Sequence, residues 1–492
     1  MNGVLAGVRR HWLLATGAAA FAVALALWVA LAETDSRAAL NFVDLNVYTD
    51  GGLIVRHMLP GYHPHGNSPL YSWGGLGSLQ LKFTYTPFAA VAFVAVTLIP
   101  WHFLQDLSIA VNVIALLAAL WFTYGGLGWG ARGASSPPFA RGSRGVVLPG
   151  RLGATLLTAA VVFWSEPMLR NIYLGQVNVV LMAVIIWDLC QPDEGRWWKG
   201  AATGVAAGIK LVPLIFIPYL LITRRFREAA MACAGFLVTV ALGFAVLPGD
   251  SVTWWFHGVF AQGGRTGFIG WAGNQSLYGL ATRLSGSVAA GRAPWLAVAV
   301  LVAVAGLASA AILYRAGHPL PALLLTELTG DLISPISWDH HWVWFAPGVA
   351  VAATYGVLYW RGARALAAGC LALAGGLVAV FAAWPTAWFG VRPHLGLDSY
   401  GLIWEPPNTS PFTFVLHGDR PRNAEYHWHG LQLITGNAYV LAALAVFFIL
   451  AVTALRLLGR GLPAPDQRDE HQHDAQGDRG SDDRVGRLAG ER

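Results

Sequence analysis

A few polar residues stand out in a chain that is otherwise strongly apolar, and their types limit the chemistry they could do. Asp44 heads the polar, aromatic stretch 41–52, directly after the first long apolar run. A carboxylate at a membrane mouth can act as general base toward a hydroxyl. It can equally cap a short helix, a role Asp suits. Asp50 is a weaker rival, because Asp-Gly-Gly reads as a turn. Tyr48, with Leu45 and Val47, marks one face of a short interfacial helix, and Tyr85 adds a second phenol; both are candidate substrate contacts. Segment 165–178 sets Glu166, Arg170, Gln176 and Asn178 at a helix start. The guanidinium suits a phosphate and the amides suit hydroxyls. The plainer alternative is a Glu166–Arg170 pair at i,i+4. Lys210 has apolar flanks on both sides, so it either snorkels or faces an anion.

Segment 333–344 crowds rings and an acid at another helix start. His340 and His341 could contact a phosphate or a sugar, and Trp338 could stack on a sugar face or sit in the interfacial belt. Adjacent histidines lack the i,i+4 spacing of metal pairs, so no metal or cofactor is expected. Asn274 and Gln275 bring two further amides that could bind substrate.

The elements that must position these groups are membrane helices. The chain has 492 residues, 55% hydrophobic and 12% charged, with mean hydropathy +0.52. A soluble chain carries about twice that charged fraction. The expected class is an all-α polytopic membrane protein of about twelve apolar segments. Net charge is +6, but the arginines flank helix ends, which points to orientation rather than to a nucleic-acid partner. The three cysteines have no paired spacing. Arg9, Arg10, Arg224, Arg225, Arg227, Arg315, Arg361, Arg364, Arg456 and Arg460 mark cytoplasmic ends, leaving the long loops 33–83, 250–292 and 385–434 outside. The basic loop 129–152 conflicts with helix counting. Placing it inside requires that 86–101 or 107–127 stop short of crossing. It also requires 200–222 to turn back at Lys210–Pro213, and it leaves 165–178 outside. Residues 1–460 read as one catalytic membrane domain and 461–492 as a disordered cytoplasmic tail.

Several pieces, taken in order, resemble one family. They are Asp-Leu-Asn-Val-Tyr-Thr-Asp-Gly-Gly (44–52), Phe-Thr-Tyr-Thr-Pro-Phe (83–88), Gly-Gln-Val-Asn (175–178), Gly-Ile-Lys-Leu-Val-Pro (208–213), Asn-Gln-Ser-Leu (274–277) and Ile-Ser-Pro-Ile-Ser-Trp-Asp-His-His-Trp (333–342). The chain is similar to bacterial polyprenyl-phosphate-mannose-dependent mannosyltransferases of glycosyltransferase family 87, of the GT-C class. Within that family the likeness is to the α-1,2 enzymes that extend phosphatidylinositol mannosides. The resemblance implies a GT-C fold with juxtamembrane helices in the first outer loop, and a periplasmic site at the plasma membrane. It implies inverting transfer to a glycolipid acceptor among membrane lipids, with Asp44 as base. The donor phosphate falls to His341, His340, Lys210 or Arg170. An acceptor on the lipomannan core is an alternative. A multi-helix transporter is the rival class, though the chain lacks two similar halves. Nothing in segment 385–434 matches the family pattern.

Overall fold

The computed structural model describes residues 2–34, 40–58, 68–72, 81–129, 150–191, 196–384, 401–406 and 424–460. The expected tail and most of segment 385–434 lie outside these residues. The described chain is helical, with two isolated bridges, Ser165–Ala382 and Asn274–Trp338. In order the helices are α1 (Asn2–Thr34), α2 (Val43–Val55), α3 (Pro69–Ser72), α4 (Pro87–Phe93), α5 (Trp101–Gly126), α6 (Arg151–Phe163), α7 (Glu166–Leu174), α8 (Asn178–Leu189) and α9 (Ala201–Ile209). Then come α10 (Phe216–Ile222), α11 (Phe226–Val246), α12 (Pro248–Trp255), α13 (Leu277–Ser285), α14 (Val288–Arg315) and α15 (Pro319–Ile333). The last are α16 (Phe345–Tyr359), α17 (Arg364–Phe381), α18 (Leu431–Thr435) and α19 (Ala438–Gly459).

Among the described residues, 7 helices are long and apolar enough to cross a membrane, and 8 if the bent pair α7–α8 is one span. Several of the twelve expected segments are instead short helices: Pro87–Leu98, Arg151–Phe163 and Val212–Ile222. Asp50-Gly51-Gly52 is not a turn but the middle of α2. A Cβ at Gly51 would lie 2.5 Å from the Phe83 ring, and one at Gly52 would lie 2.6 Å from the Phe93 carbonyl. The glycines there admit close neighbours rather than a reversal.

Contacts at its two ends place α5. The Trp101 ring, at the start of α5, meets Phe42 at 6.4 Å. At the far end of α5, Arg151 donates to the Trp121 carbonyl at 2.9 and 2.6 Å. Helix α5 is long and apolar enough to cross, whereas the shorter Pro87–Leu98 packs on α2. Helix α6 starts against Leu13 of α1 and reaches Ala24 at Trp164, whose indole N–H donates to the Ala24 carbonyl at 3.2 Å. The two helices run parallel, so Arg151 sits beside the early half of α1.

Helix α9 also turns back, for a reason written in its glycines. A Cβ at Gly200, Gly204 or Gly208 would meet Glu228 O at 2.2 Å, Ala232 O at 2.0 Å or Thr239 Oγ1 at 2.2 Å. This stripe of small residues at four-residue spacing lets two backbones approach closely in a membrane. The steps match in sense, so α9 and α11 run parallel. Helix α10 ends just before α11 begins, so it must descend after the break at Lys210, where the backbone is extended (φ −125, ψ 136). Arg315, at the end of α14, donates to the Ile222 carbonyl at 2.8 Å. The basic ends of α10 and α14 thus lie together, one short helix away from Lys210.

The glycine stripe gives a direct test. Gly204→Leu should overpack the α9–α11 contact and cost about 1–3 kcal/mol. Thermal unfolding in detergent should show the loss, with little effect from Gly375→Leu on α17, where a Cβ meets nothing within 4 Å.

Candidate active site

The α7–α8 pair forms an elbow of 113°. Ser165 Oγ caps α7 by accepting from Met168 N, Pro167 occupies the first turn, and Gly175 at φ +70 ends the helix. Glycine tolerates that left-handed C-terminal position, where other residues are strained. The elbow projects Gln176 into a cavity of about 920 Å³.

Gln176 is the junction of the site. Its Oε1 accepts from Tyr48 OH at 2.7 Å, Tyr85 OH at 3.3 Å and Lys210 Nζ at 3.3 Å. Three donors on one oxygen fix which end of the amide is which. Its Nε2 then donates to Asp44 Oδ2 at 2.7 Å. The Tyr48 and Tyr85 hydroxyls are 2.8 Å apart, and burial raises both phenols above their ordinary pKa, so they remain protonated donors. Asp44 does not cap its helix. The N-cap is Phe42, in the left-handed region at φ 56 with no side-chain bond, and Asp44 lies in the first turn, where the helix dipole favours an anion. Among the described residues no hydrogen bond engages Asp44 Oδ1, and the side chain lines the cavity.

The same cavity is lined by Lys210 and His341, with Nζ and Nε2 separated by 3.4 Å. Lys210 does not snorkel: Gln176 and Asn178 hold it on the cavity wall. It has no carboxylate within ion-pair distance among the described residues. Asn178 and Asn171 both donate to the His340 carbonyl, at 3.0 and 2.7 Å, which fixes the backbone just before His341. The two rings are thereby distinguished. His340 Nδ1 pairs with Asp339 Oδ1 at 2.9 Å, whereas His341 faces Lys210. Trp338 lines the cavity and meets Trp271 edge-on at 5.3 Å.

Some expected contacts lie elsewhere. Arg170 reaches the wall, but its charge is committed to Asp339 at 3.1 Å and to Glu166 at 3.9 Å. Glu166 is off the cavity wall. It accepts from Trp404 Nε1 at 3.1 Å and Tyr439 OH at 3.0 Å, tying the late segments to the elbow. Asn274 spends its amide on the Ile269 and Pro335 carbonyls and accepts from Ser337 N. Gln275 bonds the Ala272 and Gly436 carbonyls and the Tyr439 and Val440 amides. Both are saturated by backbone and do not line the cavity. Tyr48 and Asn178 sit just behind the wall. The residue that sequence reasoning missed is Asp339: its signal was adjacency to the histidine pair, but its partner Arg170 is 169 residues away.

The profile of glycosyltransferase family 87 matches residues 83–335. The chain belongs to glycosyltransferase family 87. It is thus a multi-pass membrane glycosyltransferase. A polyprenol-phosphate-mannose-dependent α-(1-2)-phosphatidylinositol mannoside mannosyltransferase of Mycobacterium tuberculosis is 32% identical over 474 residues, 93% of this chain and 96% of the relative. A pentamannoside-directed relative from another M. tuberculosis strain is 37% identical over 314 residues, covering 62% of this chain and 65% of its own length. A pentamannoside relative in Mycolicibacterium smegmatis is 32% identical over 74% of this chain and 82% of its own. No solved structure matches. Of the cavity groups, Tyr85, Gln176 and Lys210 fall within the matched span, whereas Asp44 and His341 lie outside it.

The commitment of Arg170 can be checked. Arg170→Gln strands two buried carboxylates, so stability should fall by about 3–5 kcal/mol, visible as a lower melting temperature in detergent. A variant that melts normally but loses donor affinity would return Arg170 to the phosphate site.

Proposed function

We propose that this chain transfers mannose from polyprenyl-phosphate-mannose to a phosphatidylinositol mannoside, forming an α-1,2 linkage with inversion, at a cavity open to the periplasm. The observation that carries the reading is one carboxylate, Asp44, held by Gln176 with its second oxygen free of hydrogen bonds among the described residues, in a cavity also lined by a lysine beside a histidine. An inverting displacement needs one base and stabilisation of the leaving anion, not a second carboxylate nucleophile. Asp44 takes the proton from the acceptor hydroxyl as that oxygen attacks the anomeric carbon. The bond from carbon to phosphate oxygen breaks, and polyprenyl phosphate leaves with the electron pair. Lys210 and His341 hold the anion that grows there. Ile215, Pro218, Leu307 and Ile333 make one part of the same cavity apolar and suit a polyprenyl chain. Mannose as the sugar and phosphatidylinositol mannoside as the acceptor follow the names of the relatives.

Asp44→Asn keeps size and polarity but removes the base, so transfer should fall by at least about 100-fold. Near-normal turnover by the purified variant would end the assignment. Orientation has its own test. In a background lacking Cys190, Cys233 and Cys370, a cysteine at Ser72 should react with an impermeant thiol reagent in whole cells whose outer envelope admits it. Labelling only after disruption of the plasma membrane would reverse the topology.

A further inference from the structure

The cavity carries a second set of donors, separate from Lys210 and His341. Arg265 donates Nη2 to the Tyr71 carbonyl at 3.1 Å, and its guanidinium carbon lies 5.9 Å from the Tyr71 ring centre. Trp254 stacks on the same ring at 5.1 Å. Arg265 Nε and Trp254 Nε1 are both buried with no acceptor, and both residues line the cavity. Lys82 is exposed on the same cavity. Its neighbour Phe83 packs 6.3 Å from Tyr71. No ion pair engages Arg265 or Lys82 among the described residues. The acid beside Tyr71 is Asp250, whose Oδ1 is already taken by Ser68 Oγ and Leu70 N, each at 2.9 Å. Tyr71 in turn donates to the Tyr85 carbonyl at 2.7 Å, so the patch is joined to the wall that carries Gln176 and Asp44.

Buried N–H groups without acceptors are costly. Two of them beside two cations call for a ligand that is charged and accepts only. A sugar hydroxyl must also donate, and the donors that make up this patch offer it no acceptor. A phosphodiester presents two unprotonated oxygens and one negative charge. We propose that Arg265, Trp254 and Lys82 bind the phosphodiester of the acceptor glycolipid, and so select acceptors whose mannose is built on a phosphoinositol. This rests on the mannosyltransferase reading above, in which the donor phosphate belongs to Lys210 and His341.

The test compares two acceptors in detergent with polyprenyl-phosphate-mannose: a phosphatidylinositol mannoside and a neutral alkyl mannoside with the same terminal sugar. Arg265→Gln should widen the ratio of their KM values about tenfold in favour of the neutral one, the size of one charge-assisted hydrogen bond. The apparent KM of the donor should stay in place. Trp254→Phe keeps the ring stack and removes only the N–H, so it should shift the ratio the same way even if loss of Arg265 harms folding. Arg265→Lys should recover part of the shift. Equal losses on both acceptors would overturn the proposal, as would a raised donor KM. Phosphatidylglycerol in the micelles that abolished the difference between wild type and Arg265→Gln would assign the patch to bulk anionic lipid and overturn it too. Wild-type enzyme that glycosylated neither acceptor would refute the mannosyltransferase reading, and this inference with it.

Discussion

The bond from Gln176 to Asp44 is the constraint on which the rest of the site depends. One amide oxygen takes three donors, so the amide nitrogen has to point at the carboxylate. The arrangement sets the base and Lys210 on the two ends of one amide group. Asp44 is thereby oriented without an ion pair that would quench it. Lys210 is held by neutral oxygens on the cavity wall, with no carboxylate in ion-pair contact among the described residues. A preorganised pair of this kind needs little reorganisation when charge moves from hydroxyl to phosphate.

That geometry requires breaks in membrane helices. The α7–α8 elbow and the extended residue Lys210 both free backbone groups that lipid cannot satisfy. Such breaks are tolerated where they line a protein cavity, and both do. Their positions follow from neighbouring packing. The glycines of α9 let it climb against α11 until Thr239, and the chain then reverses at Lys210 and Pro213. Asn171 and Asn178, on the two arms of the elbow, seize the His340 carbonyl and set His341 against Lys210.

A second polar layer keeps the cavity wall in place. Arg170 joins Glu166 to Asp339, Asp339 orients His340, and Glu166 gathers Trp404 and Tyr439. Gln275 clips the start of α19 to the same region. These groups resemble ligand contacts in sequence because buried polar side chains in membrane proteins are rare and either bind or bond. In this layer they bond.

The sequence by itself determined the membrane class and the helix-rich fold, and it marked Asp44, Gln176, Lys210 and His341 among a larger set of candidate polar groups. Apolar runs and arginine-flanked ends are local signals, and a polar residue at membrane depth is conspicuous wherever it occurs. Placing the basic loop inside also implied a reversal within 200–222. Only the tertiary structure decided which polar groups face the cavity and which face one another. Asn274 and Gln275 look as available as Gln176 in one dimension, and Asp50-Gly51-Gly52 looks like a turn. Their roles depend on carbonyls, rings and helices far along the chain, and on space that only close packing excludes. Asp339 and Arg170 are 169 residues apart; no spacing rule connects them, and only folding makes them a pair.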